Sequence, residues 1–171
     1  RSLVGSEMCI RDSYDWLDAE PQLFHPGDLD YIHSVERISK LSNVISINGG
    51  VQLDLMGQEN AESTGTRQLS GVGGQMDFLE GAYRSKGGKG FICINSSRVT
   101  KDGERKSNIL ATIPGGSTIS APRTMIQYVA TEYGIASLSG KTLRERAEAM
   151  ASIAHPDFRE ELMKYAQENF K

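Results

Sequence analysis

Apolar and polar residues alternate along the chain in blocks that switch between helical and strand-like spacing. Residues 34–42 carry apolar side chains at helical intervals, which predicts a short helix. Two apolar runs follow, NVISING (43–49) and VQLDLMG (51–57), and an Asn-Gly-Gly turn lies between them. We therefore predict a β-hairpin. Residues 14–31 mix aromatic side chains with prolines and indicate an irregular, partly packed connection.

The middle of the chain continues this alternation after a polar, glycine-rich segment. Residues 75–85, QMDFLEGAYRS, have apolar side chains on one helical face and predict a helix. The run KGFICINSS (89–97) indicates a buried strand, and ILATIP (109–114) indicates another. Between them we predict a charged, hairpin-like loop around Asp102 and Gly103.

The last third of the chain predicts one strand and three helices. The strand is MIQYVAT (125–131), and EYGIASLSG (132–140) is interpreted as helical. Thr142 and Glu145 have capping-box spacing at the start of the next helix. HPDFREELMKYAQENF (155–170) predicts a final helix with proline in its first turn. Strands alternating with helices indicate an α/β layered domain, a mixed sheet with flanking helices.

The first 13 residues, RSLVGSEMCIRDS, do not fit the pattern that follows. They lack the apolar stretch and small-residue cleavage site of a signal peptide. They resemble translated sequencing-adapter read-through, so we expect residues 1–13 to be non-native and residues 14–171 to form the domain. The alternative is a flexible natural terminus. Because position 1 is not Met, we expect the natural start to lie upstream.

Composition narrows the classes of partner. The chain has 171 residues, 38% hydrophobic and 24% charged, with a net charge of −3, which suits one domain or half of a larger enzyme. No basic run favours nucleic acid or an anionic membrane, and no apolar run approaches a membrane span. The cysteines, Cys9 and Cys93, form neither a disulfide framework nor metal-ligand spacing. We expect a reducing compartment, no metal, and for Cys93 a buried structural role.

The segment SGVGGQMDF (70–78) is the strongest candidate for chemistry. Gly71, Gly73 and Gly74 precede a predicted helix, where exposed N–H groups can bind a phosphate or stabilise an oxyanion. The alternative is a tight turn between secondary-structure elements. Position 76 is Met, so the segment lacks a Rossmann fingerprint, and no Gly-Lys-Ser/Thr follows to make a Walker loop.

Histidines and cations are weaker candidates. His25, His33 and His155 are scattered and lack metal-ligand spacing, and for His155 we favour a capping or packing role at a helix start. Six cations near the glycines indicate either a solvated face or a site for a phosphate-bearing ligand: Arg84, Lys86, Lys89, Lys101, Arg105 and Lys106. Arg123 lies in a polar loop between predicted strands, where α/β sheets usually bind ligands.

Several long motifs, in order, resemble the C-terminal domain of the acetyl-CoA hydrolase/transferase family. They are the run from INGGVQLDLMGQENAES through SGVGGQMDFLEGAYRSKGGKGFICINSS, then VATEYGIASLSGKTLRERAEAM and IAHPDFREEL. The similarity covers residues 14–171. It implies a CoA-transferase (NagB/RpiA-like) fold and a two-domain parent enzyme whose N-terminal domain precedes this chain.

The resemblance also implies a chemistry. A glutamate attacks the acyl-CoA carbonyl and forms an anhydride and then a glutamyl-CoA thioester, from which CoA passes to a carboxylate. Gly74 is expected to donate a backbone N–H to the oxyanion, with Gly71, Gly73 and Gln75 beside it. His33, in YIHS, occupies a position that is often an active-site Asn in relatives.

Further implications concern the remaining residues and the parent enzyme. Lys106 and Arg123 are expected to contact CoA. The nucleophilic glutamate belongs to an upstream segment, and Glu132 in ATEYG is given a helix-start role. We therefore expect the chain alone to be inactive and to expose a partly apolar face.

The expected partners are acyl-CoA, a small carboxylate and the N-terminal domain, with neither nucleic acid nor membrane. CoA is a substrate and no cofactor is expected. The parent is expected to be a homo-oligomer in the cytoplasm, with mitochondria as the alternative. Two alternatives for function stay open: an acyl-CoA hydrolase, and a non-catalytic module that binds a nucleotide or CoA.

Overall fold

The computed structural model describes residues 10–170, which divide into two units between Ile32 and His33. The described part of the first unit forms two helices and a 3₁₀ turn: α1 Ile10–Ala19, Pro21–Leu23 and α2 Leu29–Ile32. The prediction of an irregular connection over 14–31 is therefore wrong. Ile10, Tyr14 and Leu17 have helical spacing in the sequence, but the domain was predicted to begin at residue 14, which separated Ile10 from the other two. Residues 1–9 of the suspected adapter lie outside the described residues, and its non-native origin stays a prediction.

The second unit contains the remaining helices and strands in chain order. They are α3 Val35–Lys40, β1 Ile45–Gly49, β2 Gln52–Asp54, β3 Glu59–Asn60, β4 Ser63–Thr64, β5 Arg67–Gln68, α4 Gln75–Arg84, β6 Lys89–Cys93, β7 Ser97–Val99, β8 Arg105–Ser107, β9 Ile109–Leu110, β10 Tyr128–Thr131, β11 Gly134–Ser137, α5 Leu143–Ser152 and α6 Pro156–Asn169.

The main sheet has the strand order β1-β6-β10-β11. β1, β6 and β10 are parallel, with Ile47 opposite Phe91 and Phe91 opposite Tyr128, and β11 returns antiparallel to β10. Helix α4 connects toward β6 and packs against both β1 and β6. A parallel pair needs such a crossover, so the α/β layered prediction is confirmed.

The two faces of the main sheet differ in cover. One face packs Ile92 and Val129 against Leu79 of α4 and Met150 of α5 in the hydrophobic core. The opposite face, which we call the open face, carries Ile45, Ile47, Phe91, Tyr128 and Ile135. The three isoleucines are 51%, 67% and 63% exposed. Because alternate residues of a strand point to opposite faces, the same strands supply the core and this uncovered apolar surface.

The predicted hairpin between residues 43–49 and 51–57 is wrong. β1 pairs with β6, whereas β2 belongs to a second sheet of order β3-β2-β9. The Gly50 N–H donates to the Cys93 carbonyl at 3.1 Å, which extends the main sheet, and the next N–H, of Val51, donates to Asn60 of the second sheet at 2.9 Å. The glycine turn thus carries the chain from one sheet to the other.

The helix predicted over residues 132–140 is also wrong. This segment contains β11, which pairs with β10 through Val129 opposite Ala136. Gly134 has φ of +145°, outside helical geometry. Ala136 is buried while Ile135 is exposed, so a strand alternation governs the segment.

Other local predictions are confirmed. Thr142 and Glu145 form a reciprocal capping box on α5, and His155 caps α6 by accepting the N–H of Asp157. β7 and β8 form the hairpin around Asp102 and Gly103, and Gly103 has φ of +81°. The strands predicted at 89–97 and 109–114 are shorter, because β6 ends at Cys93 and β9 spans two residues.

Candidate active site

The carboxyl ends of the three parallel strands meet at one edge of the main sheet, where α/β proteins commonly bind ligands. A cavity lies there, lined by Gly50, Cys93, Ile94, Asn95, Ala130, Thr131 and Glu132. We call it the strand-end cavity. It brings together residues from three strands that are far apart in the sequence.

Glu132 is the acidic residue of the strand-end cavity. Its carboxylate accepts the Ser96 N–H at 2.9 Å and the Ser96 hydroxyl at 2.6 Å. Burial acts to raise the pKa of Glu132, but the hydrogen bonds from Ser96 outweigh it and lower the pKa. Glu132 precedes β11, so its expected role at a helix start is wrong.

Cys93 also lines this cavity, and its predicted buried role is wrong. The sequence indicated a buried structural thiol, but the side chain is exposed. The reason is the register of β6, whose outward positions Lys89, Phe91 and Cys93 alternate with buried Gly90 and Ile92.

The glycine loop, Gly71–Gly74, leads into α4. Gly73 has φ of +59°, a conformation that favours glycine. A side chain added at Gly71 or Gly73 would meet nothing within 4 Å, so the loop borders open space. Gly74 is the N-cap residue of α4 and has no side chain with which to cap the helix. The first N–H groups of a helix lack intrahelical partners, so this loop offers donors to an anion.

His33 and Gly74, two predicted site residues, are in contact. A Cβ added at Gly74 would overlap the His33 imidazole, so the close approach requires glycine. The imidazole also packs edge-on against Phe78, with ring centroids 5.0 Å apart, and its Nδ1 lies 3.5 Å from Asp77 Oδ2. The start of α4 therefore packs around this histidine.

Gln75 connects the glycine loop to a residue that the sequence did not reveal. Its side-chain amide donates to Glu59 Oε2, and Glu59 is fully buried. Burial raises the pKa of the Glu59 carboxyl to about 8, although the bond from Gln75 acts in the opposite direction. Glu59 lies in a polar segment of the sequence, just after an apolar run, and nothing nearby indicates that its side chain is buried. Only the three-dimensional packing identifies it as a buried carboxyl.

The predicted CoA contacts lie in other elements. Lys106 belongs to β8, and its ammonium lies 3.1 Å from the Glu104 carboxylate. Arg123 lines a second cavity beside the start of α5, together with Lys141 and Arg146. The buried Arg146 guanidinium donates to the Met56, Leu138 and Arg123 carbonyls at 2.9, 2.7 and 2.8 Å and so joins three loops.

Two properties of residues 10–170 bear on metal binding and on the membrane. Among them, no three His, Cys, Asp or Glu side chains are placed to share a metal ion. Within the same range, none of the helices has the length and apolar character needed to cross a bilayer.

Comparison with known proteins agrees with the fold and with the motifs. The family model described as "Acetyl-CoA hydrolase/transferase C-terminal domain" matches residues 10–166. The chain therefore belongs to the acetyl-CoA hydrolase/transferase family, which confirms the resemblance.

Individual relatives share this assignment. The chain is 45% identical over 154 residues to a butyryl-CoA:acetate CoA-transferase of Anaerostipes caccae, covering 90% of this chain and 34% of that protein. It is 45% identical over 163 residues to a 4-hydroxybutyrate coenzyme A transferase of Clostridium kluyveri, covering 95% and 37%.

A solved structure supports the predicted CoA-transferase fold. The 4-hydroxybutyrate CoA-transferase of Porphyromonas gingivalis superimposes with a TM-score of 0.74 at 37% identity, covering 94% of this chain and 35% of that one. The chain thus spans about a third of the length of these relatives.

Proposed function

We propose that this chain is the C-terminal part of a CoA-transferase that moves CoA between an acyl-CoA and a small carboxylate. In this proposal it supplies the oxyanion loop and part of the CoA pocket. The observation that carries the proposal is the glycine loop, which presents open backbone at the uncapped start of α4 and is packed against His33. The family membership and the names of the relatives support the reaction class.

The proposed chemistry needs oxyanion donors at two steps. The upstream glutamate carboxylate attacks the thioester carbonyl, the C–S bond breaks, and CoA departs as the thiolate. The product on the enzyme is an acyl-glutamyl anhydride. The thiolate then attacks the glutamyl carbonyl and releases the acyl group as a carboxylate, leaving glutamyl-CoA. Each attack places negative charge on a carbonyl oxygen, and preorganised N–H groups stabilise that charge. Gly74 is the proposed donor, flanked by Gly71, Gly73 and Gln75.

CoA itself carries phosphates that need cations. Arg123 borders a cavity that also contains Lys141 and Arg146, an arrangement that suits a phosphate. Lys106 projects from the β7–β8 hairpin and is half-exposed, so it can exchange its Glu104 partner for a ligand. These two contacts remain proposals, and His33 is proposed to orient the substrate from its position on Gly74.

The open face supports the proposal that a second domain completes the enzyme. Ile45 and Ile47 on β1 and Ile135 on β11 are largely exposed at the two edges of one sheet. Phe91 and Tyr128 lie half-buried on the strands between them, and apolar surface of this extent marks an interaction site. β1 is also an edge strand, with one side available for pairing. We propose that the upstream domain covers this face, that the parent is a homo-oligomer, and that the chain alone has no turnover.

The experiment that tests the proposed function is a reconstitution. Acyl transfer from butyryl-CoA to acetate is measured for this chain alone, for the upstream coding region alone, and for the two co-expressed. Turnover only in the co-expressed sample is expected. Turnover by this chain alone would overturn the proposed division of the site.

Two controls separate the alternatives. Release of free CoA at the same rate without acetate would identify a hydrolase, because water then replaces the carboxylate acceptor. Calorimetric titration of this chain with CoA tests the binding module: tight binding by the chain alone favours a non-catalytic module, and weak binding favours a half-site.

A further inference from the structure

Backbone hydrogen bonds on both sides of Glu59 fix its position in the second sheet. It lies in β3 opposite Leu53 of β2, and its N–H donates to the Ala121 carbonyl at 3.0 Å. Its carbonyl accepts the Ser120 N–H at 2.8 Å. The backbone of Glu59 is therefore bonded through both its N–H and its carbonyl, and its side chain is fully buried.

The Glu59 carboxyl touches both parts of the candidate active site. Oε2 accepts the hydrogen bond from Gln75, the first residue of α4 after the glycine loop. Oε1 is buried and has no hydrogen-bond partner among residues 10–170. This oxygen faces Gly50, where an added Cβ would lie only 2.8 Å away. Gly50 lines the strand-end cavity, so the Glu59 carboxyl lies between one wall residue of that cavity and Gln75, the residue that follows the glycine loop.

Charged groups on the surrounding elements have partners of their own. Asp54 of β2 accepts from Gln58, and Glu62 accepts the Ser120 hydroxyl. Asp77 of α4 lies beside His33, and the Arg123 guanidinium donates to the Met56 sulfur. The causes that set the protonation of Glu59 are its burial and the bond from Gln75.

The ionised form of this carboxyl would be unstable where it lies. A negative charge on Oε1 would be buried without a donor, which costs far more than burying a neutral acid. Relief requires the side chain to move, and Gln75 is bonded to it.

We propose that Glu59 is a positioning residue that, as a neutral buried acid, holds Gln75 and the glycine loop in the arrangement used for acyl transfer, and that loss of its proton releases the loop. The consequence for catalysis rests on the proposed function. The coupling between Glu59 and the loop does not, because it concerns this chain alone.

The test follows the loop directly in the 171-residue chain. Amide hydrogen exchange of Phe78, whose N–H donates to the Gly74 carbonyl at 3.2 Å, is measured from about pH 6 to about pH 9 and divided by the intrinsic exchange rate at each pH. Below the Glu59 midpoint, protection is expected to fall about tenfold per pH unit and to level off above it, because the released carboxyl gives up its proton at a lower pH than the buried one. Glu59→Gln, which is uncharged at every pH, should abolish this fall.

The matched control is Glu62→Gln, which removes another buried acid from the same segment and should retain the wild-type fall. Constant protection of Phe78 in the wild type, or a fall that persists in Glu59→Gln, would overturn the proposal. If Glu59→Gln does not fold, the ¹³C shift of the wild-type Glu59 carboxyl decides. Titration together with the Gln75 side-chain amide supports the proposal, and an ordinary midpoint near about 4.3 refutes it.

The reconstituted enzyme supplies the catalytic readout. The alkaline limb of its pH–rate profile should move to higher pH in Glu59→Gln, with Glu62→Gln unchanged. If the exchange result is positive but no transfer is seen, the proposed function fails while the Glu59 coupling stands.

Discussion

The buried carboxyl of Glu59 predicts that the domain loses stability as the pH rises. The folded state raises the pKa of Glu59 from 4.5 to about 8, so between these values the folded state binds the proton and the unfolded state does not. Stability therefore falls with pH, by about 1.4 kcal/mol per unit where the difference is complete. The contribution is fully present below pH 4.5 and is lost through about pH 8.

The size of the effect is large for one residue. From about pH 5 to about pH 8, the two pKa values give a loss of about 3–4 kcal/mol, against a total stability of about 5–15 kcal/mol for a typical domain. The measurement is urea unfolding followed by far-UV circular dichroism at four pH values in this range. A constant m-value shows that stability, and not the compactness of either state, has changed.

Two variants isolate the contribution of Glu59. Glu59→Gln should flatten this part of the pH dependence. The difference in stability between Glu59→Gln and wild type should therefore shift in favour of the variant from about pH 5 to about pH 8. Glu62→Gln should keep the wild-type slope. Equal slopes in wild type and Glu59→Gln would show that Glu59 is ionised at neutral pH and that the electrostatic reasoning is wrong.

Three further predictions concern packing, capping and the open face. Gly74→Ala should destabilise the domain by about 1–3 kcal/mol in urea unfolding, because the added Cβ overlaps His33. Gly71→Ala, the control, should change stability by less than about 0.5 kcal/mol. Equal losses of stability in the two variants would contradict the packing of His33 on Gly74. Thr142→Ala should cost about 1 kcal/mol in the same assay, since it removes the capping box of α5, and Thr142→Ser should restore most of it. Ile47→Lys should weaken concentration-dependent self-association in sedimentation velocity. It should not lower the melting temperature, because Ile47 is 67% exposed. Unchanged association would show that the chain does not self-associate through the open face.

Local features of the chain were predictable because their causes lie within a few residues. The capping box joins Thr142 to Glu145, and the β7–β8 hairpin depends on a turn at Asp102 and Gly103. Hydrogen bonds of this kind join residues that are close in the sequence. The helix α4 after the glycine loop follows from the spacing of its own apolar residues.

Errors arose where a distant segment competed with a local preference. The turn after β1 has hairpin residues, but the Gly50 N–H bonds to Cys93, and β1 pairs with β6 instead. Cys93 looks buried within an apolar run, yet the face of β6 that carries it is uncovered. Pairing partners and layer cover are properties of the assembled sheet and leave no short-range signal.

The family motifs, the glycine loop as the main candidate site, and the caps that start α5 and α6 can all be read from the amino-acid sequence. The packing of His33 on Gly74 and the bond from Gln75 to Glu59 are known only from the fold. The fold also places β1 and β2 in different sheets. Motifs and caps depend on neighbouring residues, whereas each of these contacts joins elements that the fold alone brings within hydrogen-bonding or van der Waals distance. The protonation of Glu59 follows the same rule, because burial of its carboxyl is a consequence of packing and not of residue type.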